Sequence, residues 1–234
     1  MFHFKKFSID DSQAAMKIGM DAVLLGAWTP CENESRILDI GSGCGILAIM
    51  MAQRNRKVPI DAVEIDTDAA ILAEQNFKLS PWADQLLLHH SSIQEFSLIT
   101  NQTYSLLTCN PPFFTDSLKT PDGARNIARH NDTMPVRDLL GITSKLLTVK
   151  GKAAFIIPVD AYKNWISEAS SPFLYPALVT RVRSSPDHIP HRVMVVFSRD
   201  GNQKIIDNEI FIYSSINIHS NEYRELTKEF YLNF

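Results

Sequence analysis

The sequence predicts a doubly wound α/β fold, in which helices cover both faces of a mostly parallel sheet of seven strands. Three observations lead to this class. Short apolar segments alternate along the chain with longer segments of helical spacing, which is typical of parallel sheets. A glycine-rich turn joins the first apolar segment to the helix that follows it. The length of 234 residues suits one α/β domain better than two small domains.

The predicted strands are short and are bounded by turn-forming residues. They are 36–40, 58–64, 85–90, 104–109 and 152–158, followed by two late strands near 173–182 and 192–198. Helical spacing is found over 46–54, 67–79, 134–149 and 220–231. For the helix 67–79, Asp66 or Thr67 is the expected N-cap, and the segment 203–213 has an extended pattern. In such a sheet, ligands bind at the carboxyl ends of the strands.

Composition and charge restrict the kind of protein. The net charge of −3 argues against a generally basic surface, so any contact with nucleic acid must come from locally clustered basic residues. The three cysteines, at positions 31, 44 and 109, show no C-x-x-C spacing, which indicates a reducing cytoplasm rather than disulfides or a zinc site. No apolar segment suits a signal peptide or a membrane span. We therefore expect a cytoplasmic protein without a metal and without membrane contact.

The turn 41–45 is the candidate cofactor site. Glycine at Gly41, Gly43 and Gly45 lets the backbone approach a ligand without a Cβ in the way, and the following helix N-terminus favours a carboxylate. A dinucleotide fold requires G-x-G-x-x-G, whereas this G-x-G-x-G spacing suits the methionine end of S-adenosylmethionine. Asp39 either pins the turn or reaches the ammonium group of that cofactor. The alternative interpretation is a strand-to-helix turn with no ligand.

Residues after the second and third strands are candidates for the rest of the cofactor. Glu64 ends the second strand, where a carboxylate can accept hydrogen bonds from both ribose hydroxyls, and Ile65 follows it. After the third strand, Ser92 can accept one hydrogen bond and Ile93 can pack on an adenine ring. Because Ser92 is uncharged, we expect weaker cofactor binding there, or compensation by a backbone carbonyl. Taken alone, Glu64 would equally suit a solvated strand end.

The tetrapeptide Asn110-Pro111-Pro112-Phe113 at the end of the fourth strand carries the candidate catalytic residues. The lone pair of an aromatic exocyclic amine is delocalised into its ring, so the nitrogen is a poor nucleophile. Two acceptors, the Asn110 side-chain carbonyl and the Pro111 backbone carbonyl, can hold the amino hydrogens and direct the lone pair at a methyl group. Proline stiffens the loop, and Phe113 offers a face on which a base can stack. The alternative is a Pro-Pro turn with a buried phenylalanine.

A family resemblance extends over nearly the whole chain. Besides NPPF, it rests on AMKIGMDAVLLGAW at 15–28, SPWA at 80–83, PHRV at 190–193 and FYL at 230–232. In these segments the chain resembles the bacterial tRNA adenine-N6 methyltransferases that modify the adenosine 3′ of the anticodon of a valine tRNA. The NPPF motif alone is less specific, because guanine-N2 and other amino methyltransferases share it.

The resemblance implies a Rossmann-like, seven-stranded methyltransferase sheet, with S-adenosylmethionine as cofactor and tRNA as partner. It also implies a single domain over 1–234. Within it, the segment 1–35, with Lys17, would cover the cofactor, 36–200 would form the core sheet, and 201–234 would be a C-terminal extension. The chain departs from the family at Ser92, where the family usually has aspartate.

Basic residues that flank the catalytic loop or lie in the most basic late stretch are candidates for RNA contacts. Arg125 and Arg129 follow the NPPF motif, and Arg192 lies in the stretch 171–199, which holds four arginines and one aspartate. Together they could form a basic rim for phosphates. The alternative interpretation is that they lie on solvated loops and strand ends.

Other functions remain open from the residues alone. A protein glutamine methyltransferase also uses N-P-P followed by an aromatic residue. Those enzymes resemble one another in carrying a helical domain ahead of the glycine turn, and Asp39 comes too early in this sequence to leave room for one. A guanine-N2 RNA methyltransferase is a second alternative. A non-catalytic scaffold that binds cofactor or RNA is a third, and Asn110 with Phe113 argues against it. The glycine spacing disfavours an NAD-dependent oxidoreductase.

Overall fold

The computed structural model describes residues 1–12, 17–55, 57–111 and 134–233, and its centre is a sheet of eight strands. The strands are β3 (Ile37–Ile40), β4 (Ile60–Glu64), β5 (Leu86–His90), β6 (Tyr104–Cys109), β7 (Leu147–Pro158), β8 (Tyr175–Arg183), β9 (Arg192–Ser198) and β10 (Ile206–Phe211). Their order across the sheet is β10-β8-β9-β7-β6-β3-β4-β5. Only β9 runs antiparallel to its neighbours in this sheet. The predicted class, an α/β fold with a mostly parallel sheet, is confirmed.

The sheet has one strand more than the seven predicted, and it continues past residue 200, where the sequence places the end of the core sheet. The additional strand, β10, pairs in parallel with β8. Most of its side chains are exposed, and the ion pairs Arg181–Asp207 and Arg183–Glu209 join it to β8. Because polar pairs rather than an apolar face attach this strand, the hydrophobic pattern did not mark it as part of the sheet.

Helices lie between the strands in the alternation that the sequence predicts. They are α1 (Met20–Trp28), α2 (Ile46–Arg54), α3 (Thr67–Leu79), α4 (Ile93–Ile99), α5 (Val136–Leu146), α6 (Tyr162–Ser170) and α7 (Asn221–Thr227). The bounds of α2 and α3 agree with the prediction, and Asp66 caps α3 by accepting a hydrogen bond from the N–H of Ala69 at 2.9 Å. Helices α1, α4 and α6 were not predicted. The interior of α1 is buried throughout, so it has no polar face to give a helical period.

Both faces of the central strands are buried, as a doubly wound fold requires. On one face, Leu38 and Phe155 belong to the same apolar cluster as Leu140 of α5. On the other face, Ile37 packs in a cluster with Ile49 of α2. Adjacent residues of β3 therefore point into opposite cores, which leaves the carboxyl ends of the strands as the place where a polar site can form.

The two ends of the chain lie side by side. Strands β1 (Phe2–His3) and β2 (Ser8–Ile9) form a small antiparallel pair, and β11 (Tyr213–Ser215) pairs with β12 (Ile218–His219). The N–H of Lys5 donates to the carbonyl of Phe230 at 2.8 Å. The ring of Phe4 stacks on Phe7 at 4.6 Å and lies 6.0 Å from that of Tyr231. The N-terminal segment is thus attached to the C-terminal residues through backbone and aromatic contacts.

A buried carboxylate joins three strands away from the carboxyl edge. Asp61, near the start of β4, is almost fully buried, and its Oδ2 accepts from the guanidinium of Arg36 at 2.7 Å and from the Tyr104 hydroxyl at 3.0 Å. Its Oδ1 lies 2.8 Å from Nε2 of His89. Burial raises the pKa of Asp61, but the hydrogen bonds from His89, Arg36 and Tyr104 outweigh that effect and hold it below its ordinary value of 3.8.

We expect Asp61→Ala to lower the free energy of unfolding by about 3 kcal/mol, the lower end of the range for breaking a buried pair, because Arg36 keeps some contact with solvent. Because the pKa of Asp61 is lowered on folding, its ionised carboxylate stabilises the fold fully at pH values above the ordinary pKa of 3.8. This stabilisation is lost as the pH falls through the lowered pKa. The deficit of the variant should therefore shrink in acid. Urea unfolding at several pH values measures both effects.

The control for this experiment is Asp207→Ala, which removes a half-exposed partner of Arg181 on the edge strand. Exposed ion pairs contribute about 0–1 kcal/mol, so this variant should unfold close to the wild type. Equal losses in the two variants would contradict the role assigned to Asp61.

Candidate active site

A cavity of about 210 Å³ opens at the carboxyl edge of the sheet, beside the ends of β3, β4 and β6. Its walls include six of the predicted site residues, namely Gly41, Ile65, Ser92, Ile93, Asn110 and Pro111. These residues come from separate parts of the chain, and they meet because parallel strands end at the same edge. The first glycine of the predicted cofactor turn therefore shares one cavity with the Asn-Pro pair, whereas Asp39, Gly43, Gly45 and Glu64 lie outside its lining.

The glycine turn has a backbone that glycine adopts most readily, with φ of 67° at Gly41, 55° at Gly43 and 88° at Gly45. A Cβ on Gly45 would lie 2.4 Å from Cε1 of Phe77, so the turn is packed closely against α3 at this point. Among the described residues, nothing lies within 4 Å of a Cβ placed on Gly41 or Gly43. The turn is therefore open at its first two glycines, where a ligand can approach the backbone.

The carboxylate of Glu64 holds the glycine turn against β4. Its Oε2 accepts from the N–H of Gly43 at 2.8 Å, and its Oε1 accepts from the N–H of Asp66 at 2.9 Å. The N–H of Gly41 likewise donates to the carbonyl of Val63 at 2.9 Å. A carboxylate has about four lone-pair positions, so Glu64 can still accept hydrogen bonds from ribose hydroxyls. It can thus serve both the turn and a cofactor.

Buried polar atoms at the turn have unused hydrogen-bonding capacity. Asp39 is fully buried, and its Oδ1 accepts from the hydroxyl of Thr108 at 3.3 Å. Its Oδ2 and the hydroxyl of Ser42 are buried with no hydrogen-bond partner in the described part of the chain. Burial raises the pKa of Asp39 to about 7, and the charge of Glu64 adds to the rise. Such atoms fit a polar ligand at the turn, because buried polar groups are normally satisfied.

Ser92 has a structural role that the sequence analysis did not predict, because helix α4 was not predicted. Its hydroxyl oxygen accepts from the N–H of Glu95 at 3.1 Å. The Glu95 carboxylate in turn accepts from the N–H of Ser92 at 3.3 Å and from its hydroxyl at 2.8 Å. This is a capping box, which satisfies the N-terminus of α4. The hydroxyl expected to meet adenine is therefore already hydrogen-bonded to Glu95.

Apolar residues complete the wall of the cavity. Ile93 is buried, whereas the side chain of Ile65 is 69% exposed. A planar ligand in the cavity could therefore cover the exposed surface of Ile65. The apolar Met134 and Leu139 and the polar Gln94 also line the cavity, and no sequence motif marks these three positions. The apolar face of α5 was the signal that could have identified Leu139, but nothing in the sequence shows that this face reaches the cavity.

The ammonium of Lys17, a predicted cofactor contact, is bonded within its own segment. It donates to the carbonyls of Asp11 at 2.6 Å and Ser12 at 2.8 Å. The Asp11 carboxylate also accepts from the N–H of Ile18 at 3.3 Å. Lys17 therefore stabilises the N-terminal segment, and its contact with a cofactor stays a prediction.

Asn110 and Pro111 follow the buried strand β6 and are partly exposed in the cavity wall. Four other predicted site residues lie outside the described residues, namely Pro112, Phe113, Arg125 and Arg129. Arg192, predicted to meet a phosphate, pairs with Asp21 of α1 through Nε and Oδ2 at 2.8 Å. Any phosphate contact of Arg192 would have to coexist with this pair.

Within residues 1–12, 17–55, 57–111 and 134–233, no group of three or more His, Cys, Asp or Glu residues could hold a metal ion. No helix in these ranges is long and apolar enough to cross a membrane. Cys31, Cys44 and Cys109 are buried and form no disulfide.

The strand order, with the glycine turn and the Asn-Pro pair at one edge, is that of a Rossmann-like methyltransferase, and the chain matches known proteins of this class. The model of the methyltransferase small domain matches residues 14–134. A solved structure from Agrobacterium tumefaciens, described as a predicted O-methyltransferase, has a TM-score of 0.71 and 16% identity, covering 90% of this chain and 96% of that one. At this identity, the likeness supports the fold alone.

Two curated relatives define the family more closely. A protein of Flavobacterium johnsoniae is 42% identical over 233 residues, covering 99% of both chains. A protein of Flavobacterium psychrophilum is 41% identical over 233 residues, with 99% of both chains covered. Both are named tRNA1(Val) (adenine(37)-N6)-methyltransferase. The chain belongs to this family and is a methyltransferase.

Proposed function

We propose that this chain methylates the exocyclic N6 of an adenosine in tRNA, with S-adenosylmethionine as methyl donor, and that the target is adenosine 37 of tRNA1(Val). The observation that carries the proposal is the cavity lined by Gly41, Asn110 and Pro111, in which the first glycine of the turn and the Asn-Pro pair meet. The names of the full-length relatives support the choice of tRNA and of adenine N6. With tRNA as substrate, the enzyme would act in the cytoplasm.

The residues of the turn fit S-adenosylmethionine. Gly41 and Gly43 would admit its methionine part, Asp39 offers a carboxylate to its ammonium group, and Glu64 can accept from its ribose hydroxyls. Ile93 and the exposed Ile65 offer apolar contact to its adenine ring. When bound, the cofactor supplies a methyl group on a positively charged sulfur.

The Asn-Pro pair would act on the target amine by positioning and electrostatics. The side-chain carbonyl of Asn110 and the backbone carbonyl of Pro111 accept hydrogen bonds from the two amino hydrogens, which favours a tetrahedral nitrogen with its lone pair directed at the methyl group. The same carbonyls stabilise the positive charge that develops on nitrogen during transfer. One proton then leaves the cationic nitrogen for solvent, so no general base is needed. Phe113 would stack on the base.

Guanine N2 and protein glutamine are the competing targets, because both are planar amides or amines that an Asn-Pro pair can hold. The experiment that separates them is transfer of radiolabelled methyl groups into unmodified total tRNA, followed by nucleoside analysis. We expect N6-methyladenosine as the product. A labelled N2-methylguanosine, or label in protein and none in tRNA, would contradict the proposed substrate.

The tRNA phosphates would be held by a basic rim that includes Arg125, Arg129 and Arg192. For Arg192 the ion pair allows a matched test. Arg192→Ala removes both the guanidinium and the pair, whereas Asp21→Ala removes the pair and leaves the guanidinium.

If Arg192 contacts a phosphate, Arg192→Ala should weaken tRNA binding and reduce the slope of log K against log salt by about 1. Asp21→Ala should leave that slope unchanged or increase it, because the guanidinium loses its competing carboxylate. Fluorescence titration at several salt concentrations measures both. Identical slopes for the wild type and Arg192→Ala would remove Arg192 from the rim.

A further inference from the structure

Asn76 is a buried polar residue on α3, and the catalytic scheme above does not use it. It is only 1% exposed. Asparagine is a poor helix former in the interior of a helix, and burying an amide is unfavourable unless its groups are hydrogen-bonded. The structure satisfies this amide fully, and every partner is a backbone group of a distant segment.

The three hydrogen bonds of Asn76 join two segments of the chain. Its Oδ1 accepts from the N–H of Asp10 at 2.8 Å, and its Nδ2 donates to the carbonyl of Asp10 at 2.9 Å. The same Nδ2 donates to the carbonyl of Cys44 at 2.9 Å. Asp10 directly follows β2 in the N-terminal segment, and Cys44 belongs to the glycine turn. One side chain thus ties the N-terminal segment to the turn.

These contacts fix the turn at a second point, one residue after the one that Glu64 holds. Glu64 holds the N–H of Gly43, and Asn76 holds the carbonyl of Cys44, which is the next residue. Phe77, adjacent to Asn76, packs against Gly45, where no Cβ would fit. The peptides between Gly43 and Gly45 are therefore held by one carboxylate, one amide and one aromatic ring.

We infer that Asn76 is a positioning residue for the methyl donor, which keeps the glycine turn in the arrangement that binds S-adenosylmethionine and fastens residues 10 and 44 to each other. This inference rests on the proposed function, because it takes the turn to be the cofactor site. Only an amide of this length supplies one acceptor and two donors here. Aspartate lacks the donors, and its charge would face two carbonyl oxygens.

The test compares Asn76→Asp with Asn55→Asp. Asn55 is also a buried asparagine, 6% exposed, but its amide donates to the carbonyl of Met51 at the C-terminal end of α2, whereas the glycine turn precedes the N-terminal end of that helix. We expect Asn76→Asp to weaken S-adenosylmethionine binding roughly 10-fold, with a corresponding rise in KM for the cofactor. The value of kcat at saturating cofactor should stay near that of the wild type. Asn55→Asp should leave the cofactor affinity unchanged.

Amide hydrogen exchange of the cofactor-free protein provides a second readout. The N–H of Asp10 should exchange faster in Asn76→Asp than in the wild type or in Asn55→Asp, because the carboxylate is repelled by the carbonyl oxygens of Asp10 and Cys44 and moves away from this N–H. If Asn76→Asp does not fold, Asn76→Ser, which is shorter and uncharged, is measured in the same way.

Three outcomes are distinguishable. Unchanged cofactor affinity in folded Asn76→Asp and Asn76→Ser overturns the inference. An equal loss of affinity in Asn55→Asp also overturns it, because the effect would then be general destabilisation. If the wild type itself binds no S-adenosylmethionine, the proposed function fails, whatever the exchange of the Asp10 amide shows.

Discussion

Replacement of Asn110 by alanine is expected to slow methyl transfer to tRNA by about 100- to 1000-fold, the usual effect of removing one preorganised partner of a developing charge. The side-chain carbonyl acts on the amino hydrogens as the nitrogen becomes cationic, so its loss should appear in the chemical step. Binding of S-adenosylmethionine should be retained, because the turn 41–45 does not depend on this side chain. Single-turnover methyl transfer measures the rate directly.

Two further variants sharpen this experiment. Asn110→Asp should be milder than Asn110→Ala, because a carboxylate still accepts a hydrogen bond from the amine. Asn208→Ala, on the exposed edge strand β10, is the matched control and should keep the wild-type rate. Near-normal single-turnover rates in Asn110→Ala would contradict the catalytic role of the Asn-Pro pair.

Replacement of Glu64 by alanine is expected to weaken S-adenosylmethionine binding by about 1–3 kcal/mol, the cost of leaving hydrogen-bonding groups unpaired. The structure gives two reasons for this loss. The ribose hydroxyls would lose their acceptor, and the N–H groups of Gly43 and Asp66 would lose the carboxylate that orients the turn. Glu64→Gln should have an intermediate effect, because its amide keeps one carbonyl oxygen. Calorimetry with S-adenosylmethionine measures each affinity.

The control is Glu74→Ala in α3, the helix that follows Glu64 along the chain. Glu74 is more than half exposed and pairs with Lys78 one helical turn away, so its removal should not change cofactor affinity. If Glu64→Ala bound the cofactor as tightly as Glu74→Ala, neither the ribose contact nor the support of the turn would matter for binding. Tight NADH binding by the wild type would contradict the choice of cofactor.

The central part of the fold could be predicted from sequence because its signals are local. The strands that became β3 to β6 are short apolar segments between turns, and α2 and α3 follow them with clear helical spacing. The sequence does not predict β10 as part of the sheet, because its side chains are mostly exposed and ion pairs attach it to β8. α1 lacked a helical period because both of its sides are buried.

In the candidate site, too, the features carried by local motifs could be predicted from sequence, and those that depend on contacts between distant residues could not. The glycine spacing and the Asn-Pro pair are contiguous motifs, so their shared cavity could be expected from the rule that ligands bind at the carboxyl ends of strands. The capping role of Ser92 depended on an unrecognised helix. The contacts of Asn76 with residues 10 and 44, and the pair of Arg192 with Asp21, join positions far apart in sequence. Such contacts follow from tertiary packing, which no local pattern records.

The most direct test of the proposed function uses two transcripts of tRNA1(Val), one unmodified and one in which adenosine 37 is replaced by guanosine. Each is incubated with the wild-type enzyme and S-adenosylmethionine and then digested to nucleosides. The nucleosides are separated by liquid chromatography and identified by mass spectrometry. We expect N6-methyladenosine from the unmodified transcript and no methylated nucleoside from the substituted one. N6-methyladenosine from both transcripts would place the target at another adenosine, and methylated guanosine from either would contradict an adenine-N6 methyltransferase.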